Sequence, residues 1–206
     1  MSREYCPKCG YPLAVCLCAA ISPMACDVDI WVLQHPDEAS HAKNTARLLP
    51  LVLPQTRILC GESAADFAGV QAELTARVGP LYLVYPQDET SEPDIAPCSA
   101  GAGQSGGRPL LLLIDATWRK ALKMYHLNPW LHGLPRLSFL PQTGSDYRIR
   151  KAGRSDSLST LEAVAHSLQC LHPGLDVAPL LAAQAAMVTK RLAAMPAQVR
   201  ARYRES

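Results

Sequence analysis

A chain of 206 residues, 49% of them hydrophobic, holds enough apolar material for one sizeable core plus a small appendage, and its mean hydropathy of +0.01 is that of a globular protein. No apolar run approaches the roughly 20 residues that span a bilayer, and the opening Met1-Ser2-Arg3-Glu4-Tyr5-Cys6 lacks the apolar stretch of a secretion signal, so a cytoplasmic location is expected. A net charge of +2 is too mild to announce a nucleic-acid binder, so only the placing of the charge is informative.

In a reducing compartment, clustered cysteines point to a metal rather than to disulfides. Cys6, Cys9, Cys16 and Cys18 form a C-x2-C-x6-C-x-C cluster in which Pro7 and Gly10 favour a tight turn. Four soft ligands this close suit a closed, tetrahedral structural zinc site, with no open position left for catalysis; a redox pair is the competing reading. Residues 1–25 therefore read as a zinc knuckle too small to fold without its metal, ahead of a main domain over 26–206. Cys26, Cys60, Cys98 and Cys170 are scattered and read as small hydrophobes.

The main domain alternates strands and helices. Residues 29–34 (Asp-Ile-Trp-Val-Leu-Gln) read as a first strand that delivers His35-Pro36-Asp37-Glu38 at its end. A short helix starts at Asn44 and is kept brief by Pro50 and Pro54. Residues 56–61 make a second strand. Phe67, Val70, Leu74 and Val78 then recur at three- and four-residue steps, which places them on one helix face. Residues 81–86 (Leu-Tyr-Leu-Val-Tyr-Pro) make a third strand. The connection from Gln87 to Pro109, acidic and then rich in Gly and Ser, reads as mobile. Its Gly101-Ala102-Gly103-Gln104-Ser105-Gly106 matches G-x-G-x-x-G only formally, because a dinucleotide fingerprint must follow a strand and open a helix, whereas this one leads into a strand.

That next strand organises the chain. Five apolar residues, Leu110 to Ile114, suggest burial on both faces, and Asp115-Ala116-Thr117-Trp118 turns into a helix, leaving a carboxylate at the strand's carboxyl end. In open α/β sheets ligands bind at that edge. The bland alternative makes Asp115 or Thr117 a helix cap and Trp118 a core plug. A weaker fifth strand covers 137–140. Ser159 followed by Glu162 is a capping-box pattern that starts a helix running to about Leu171, and its free amides suit a carboxylate or phosphate. A last helix spans about 178–195, with Leu181, Ala185, Val188, Leu192 and Met195 on one face; Arg200, Arg202 and Arg204 follow as a solvated face or an RNA contact. The expected fold is α/β: a mostly parallel sheet with helices on both faces.

Taken together, His35-Pro36-x-Glu38, Asn44-Thr45-Ala46-Arg47-Leu48-Leu49, Tyr85-Pro86, Asp115-Ala116-Thr117-Trp118, Tyr147-x-Ile149-Arg150-Lys151 and Leu158-Ser159-Thr160-Leu161-Glu162-Ala163 resemble the DTW-domain family over nearly the whole chain, cysteine cluster included. The family signature is Asp-Thr-Trp, and Ala116 is inserted here. The resemblance implies a SPOUT-like α/β domain with a C-terminal knot. It also implies transfer of the 3-amino-3-carboxypropyl group of S-adenosylmethionine to N3 of a uridine in the tRNA variable loop, releasing methylthioadenosine. The cofactor would lie on the loops after the third, fourth and fifth strands, against Tyr85, Pro86, Leu113, Asp115, Arg150, Ser159 and Thr160.

On that reading Asp115 is either the base that takes the uridine proton or the ligand of the cofactor's ammonium, with Thr117 and Trp118 beside it as the other catalytic candidates. Trp118 would stack on the uracil or face the sulfonium; core packing is its alternative. Arg119, Lys120 and Lys123 after the signature, and Arg148, Arg150, Lys151 and Arg154 further on, would track a tRNA backbone, with His35 and Arg47 as further RNA contacts; the alternative is ordinary solubilising charge. Two rival functions remain: an RNA methyltransferase of the same fold, and a zinc-knuckle RNA-binding adaptor without catalysis.

Overall fold

The computed structural model describes residues 4–41, 43–86, 106–138 and 158–201. Its elements are β1 (Asp29–Gln34), α1 (Pro36–Ala39), α2 (Leu49–Val52), β2 (Arg57–Cys60), α3 (Ala68–Thr75), β3 (Leu81–Val84), β4 (Leu110–Asp115), α4 (Trp118–Leu127), β5 (Arg136–Leu137), α5 (Thr160–Leu171), α6 (Ala178–Ala193) and α7 (Ala197–Ala201). The five strands form one sheet in the order β2-β1-β4-β3-β5, with every pairing parallel. The expected α/β fold is therefore observed, with β4 at its centre.

The register explains why β1 and β4 are apolar throughout. Ile30 lies opposite Leu111, and Val32 opposite Leu113. Because side chains alternate across a strand, these four face one side, where Leu161, Val164 and Leu168 of α5 and Leu180 and Met187 of α6 cover them. Trp31, Leu33, Leu110 and Leu112 face the other side, against Phe67 and Val70 around α3 and Met124 and Tyr125 of α4. Leu110 to Leu113 are all buried, and each contributes about 2 kcal/mol by leaving water. At the opposite end of β1, Arg77 and Arg108 grip the Asp29 carboxylate at 2.6 Å and 3.3 Å. Beside them Gly79 holds φ +122°, and a Cβ there would lie 2.8 Å from the Arg108 carbonyl.

The cysteine segment shares this core. Tyr11 and Leu17 are each 1% exposed and pack in the cluster that covers the α5–α6 side of the sheet. The Tyr11 hydroxyl contacts Met187 Sδ at 3.5 Å, and Lys190 donates to the Cys16 carbonyl. Arg47 donates to the Gly10 carbonyl at 3.0 Å and lies over the Tyr11 ring.

Four local expectations need correction. The helix expected to carry Val78 ends at Thr75, and Val78 is 73% exposed, because the chain must turn through Gly79 into β3. The helix expected from Asn44 is a 3-10 turn, Ala46–Leu48, running into the single turn α2; Pro50 has no N–H and is tolerated only in the first turn. On α6 the buried stripe is Leu180, Ala183, Gln184 and Met187 rather than the one led by Leu181, which is 44% exposed. Finally, β5 is only Arg136–Leu137 among the described residues. The Gly-rich match at 101–106 begins outside them, as do Phe139, Leu140, Arg202 and Arg204. No helix among the described residues is long and apolar enough to cross a membrane.

Candidate active site

β1 and β4 are neighbours whose onward connections diverge, β1 towards β2 on one flank and β4 past β3 towards β5 on the other. At such a switch point the loops separate and leave a crevice beyond the carboxyl ends of the strands. Gln34 and Asp115 close the two strands and stand opposite each other in register. Gln34 Nε2 donates to Asp115 Oδ2 at 2.8 Å; only the amide nitrogen can face a carboxylate acceptor, so the amide's orientation follows from chemistry. Thr160 Oγ1 donates to Asp115 Oδ1 at 2.5 Å, and the His35 amide donates to the Asp115 carbonyl at 3.0 Å. Asp115 is 6% exposed.

Thr160 reaches Asp115 because α5 begins where its sequence requires. The Ser159 amide donates to Glu162 Oε2 at 2.8 Å and the Glu162 amide to Ser159 Oγ at 3.2 Å, closing the expected capping box. The Ser159 hydroxyl also donates to Gln184 Oε1 of α6 at 2.6 Å. The start of α5, with its partial positive charge, is thereby pinned next to the carboxylate. Thus Asp115, Ser159 and Thr160 converge, 45 residues of chain separating Asp115 from Thr160. Leu113, on the same face of β4 two residues earlier, is buried beneath them in the core.

The other named residues are distributed as follows. Thr117 is the N-cap of α4 but makes no side-chain cap bond, and it is exposed. Trp118 is 39% exposed, which removes the core-plug alternative. Tyr85 is buried by stacking on Tyr125, centroids 4.8 Å apart and planes 12° from parallel, while Pro86 is exposed. Arg136 donates to the Tyr125 hydroxyl, and the His132 ring lies 4.3 Å from that of Tyr125, so an aromatic group flanks the carboxyl end of β3.

Two of the expected RNA contacts already carry ion pairs. Lys120 meets Asp37 at 2.6 Å and Lys123 meets Glu62 at 2.8 Å, and each ammonium holds its partner's carboxyl below the usual range. His35 Nδ1 accepts the Asp37 amide at 3.1 Å, capping α1, which leaves Nε2 to donate to Glu62 at 3.3 Å. Arg119 is exposed. Arg148, Arg150, Lys151 and Arg154 lie outside the described residues.

The four cysteines do converge. Cys6 and Cys18 sulfurs are 3.5 Å apart, Cys9 and Cys16 3.8 Å, and all four lie within 4.8 Å of one another. Thiolates about 2.3 Å from a tetrahedral zinc stand roughly 3.8 Å apart, so the donor set fits that ion. The amides of Cys9 and Lys8 bring the Cys6 thiol down to about 6, which prepares it to ligate.

Sequence reasoning passed over Gln34, Gln184, Asp37 and Glu62. Gln34 carried a usable signal, a polar residue ending a buried apolar strand, which is the signal that singled out Asp115.

A model of the DTW domain matches residues 3–192 of the chain. The tRNA-uridine aminocarboxypropyltransferase 2 of Drosophila melanogaster is 32% identical over 176 residues, covering 82% of this chain and 67% of that protein. The proteins of the same name from Mus musculus and Macaca fascicularis are 27% and 25% identical over 173 residues, covering 82% of this chain and 57% of each relative. The chain thus spans about two thirds of the fly protein and a little over half of the two mammalian ones. No solved structure matches it.

Proposed function

Because this chain belongs to the DTW domain family, we propose that it is a tRNA-uridine aminocarboxypropyltransferase using S-adenosylmethionine as donor. The observation that carries the reading is the buried Asp115 at the switch point, held beside the amino end of α5. A carboxylate next to a helix amino terminus complements an α-amino acid, whose ammonium and carboxylate are borne on one carbon. Held there, the donor's amino-acid arm keeps its γ-carbon still for attack.

In this account Asp115 is the anchor of the ammonium. Both of its oxygens already accept hydrogen bonds, which suits a fixed negative charge better than a base that must take up a proton. The uridine N3–H proton leaves to water, the N3 lone pair forms a bond to the γ-carbon, and the carbon–sulfur bond electrons pass to sulfur, yielding neutral methylthioadenosine. The reacting charges cancel, so a dry crevice favours the step. Thr117 and Trp118, exposed at the start of α4, form the face towards the uracil, with Trp118 as a stacking plane. Tyr85 and Pro86 wall the adenosine side, and Arg150 is assigned to the donor's carboxylate on the family resemblance alone.

For tRNA we assign Arg119 and the run Arg148, Lys151 and Arg154 to phosphate, with Lys120 joining when its pair with Asp37 opens. His35 orders this edge through its two ring nitrogens, and Arg47 fastens the knuckle. Cys6, Cys9, Cys16 and Cys18 would hold a structural zinc ion, whose role is to fix the knuckle against α6. The SPOUT-like assignment, with its C-terminal knot, belongs to the same proposal and is supported by the all-parallel sheet. A cytoplasmic location, where thiols stay reduced, suits such a site.

The small-molecule product tests the reading. Incubation with tRNA and S-adenosylmethionine is expected to release methylthioadenosine. Release of S-adenosylhomocysteine instead would establish methyl transfer, and absence of donor binding in calorimetry would leave the adaptor.

A further inference from the structure

We infer that Gln34 is a positioning residue for the transfer, its side-chain amide setting the plane of the Asp115 carboxylate. The inference rests on Asp115 being the donor's anchor. The terminal torsion of an aspartate is broad, so a single hydrogen bond at Oδ1 leaves the carboxylate free to rock. Donors on both oxygens, from β1 and α5, fix it.

Gln34 is mounted for this task. Its carbonyl accepts the Gly61 amide at 3.0 Å, and its backbone lies in register between Cys60 of β2 and Asp115 of β4, so the side chain leaves a backbone held on both sides. It is 4% exposed at the end of a strand whose other buried residues are apolar. A leucine would satisfy packing there; a buried amide is retained where its hydrogen bond has a use. Glutamine also orients a carboxylate without supplying a countercharge, as arginine or lysine would.

The test uses the full chain with tRNA and S-adenosylmethionine and two substitutions. Gln34→Leu should melt cooperatively yet lose about 10- to 100-fold in kcat/KM, mainly through a higher KM for S-adenosylmethionine, as expected for about 1 Å of misplacement. Gln34→Glu, of equal size, sets a second carboxyl beside Asp115. Two carboxylates so close cannot both ionise, so at low pH one bridging proton restores a donor to Asp115, and at higher pH the pair repels. The activity of Gln34→Glu relative to wild type should therefore rise as pH is lowered. Of the titratable neighbours, Cys60 and His35 are common to both proteins, whereas Asp115 couples to the new carboxyl, and that coupling is what the ratio reads. A wild-type KM in Gln34→Leu, or a flat ratio in Gln34→Glu where Gln34→Leu does not fold, overturns the inference alone. Failure of the wild-type chain to transfer the group overturns the underlying reading as well.

Discussion

Replacing Thr160 with valine removes one hydroxyl and nothing else of size. That hydroxyl donates at 2.5 Å to a carboxylate that is 6% exposed, from the first residue of α5. A hydrogen bond to a charged group contributes about 1.5–3 kcal/mol, and because Thr160 is half-buried the lower part of that range, about 1.5–2 kcal/mol, applies. For a chain of this length each kcal/mol shifts Tm by about 2–4 °C, so Thr160→Val should melt about 3–8 °C lower. Thr160→Ser, which returns the hydroxyl without the methyl, should recover most of the loss. Calorimetry supplies the melting temperatures, and donor binding should weaken in the valine variant and recover in the serine one. If Thr160→Val melts within about 1 °C of wild type, the contact between α5 and the end of β4 is not what holds Asp115.

Other outcomes follow from the same geometry. Trp118→Ala should lower transfer far more than its loss of stability accounts for, while Trp118→Phe, which keeps a stacking plane, should recover part of it; wild-type transfer by Trp118→Ala would remove the residue from the uracil face. Chelation, or Cys9→Ser, should remove one zinc per chain by elemental analysis and lower Tm by about 10 °C or more, because the knuckle carries Tyr11 and Leu17 into the shared core. The Lys123 ammonium holds the Glu62 carboxyl below its ordinary value, so the pair stabilises the fold above the unfolded carboxylate range and loses that contribution as pH falls through the lowered value. Lys123→Ala should accordingly be slightly less stable than wild type at neutral pH and indistinguishable from it in strong acid. A difference that persists there would mean the lysine acts through packing.

The parts of this fold that were legible in the sequence are those set by neighbouring residues. Unbroken apolar runs in β1 and β4, the Ser159–Glu162 capping box and the carboxylate ending β4 all depend on local pattern, and all stand where they were expected. The errors came where distant packing decides. The alanine-rich α6 offers more than one apolar stripe, and the one that turned inward contains Gln184, a polar residue buried because Ser159 bonds it. Tyr11 is buried by α6, 176 residues away along the chain, which no local period records. The ion pairs of Lys120 and Lys123 with Asp37 and Glu62, carried by α1 and the turn after β2, likewise left no local trace, and they leave the phosphate reading of Lys120 open to test. The Asp115 carboxylate was foreseen, but the two donors that fix its plane needed the register of β1 and the entry of α5.

The central claim is tested most directly by mass spectrometry of the nucleosides of tRNA incubated with S-adenosylmethionine and either the wild-type chain or Asp115→Asn. The account predicts 3-(3-amino-3-carboxypropyl)uridine with wild type and none with Asp115→Asn, accompanied by weakened donor binding. A methylated nucleoside, or full conversion by Asp115→Asn, would contradict it.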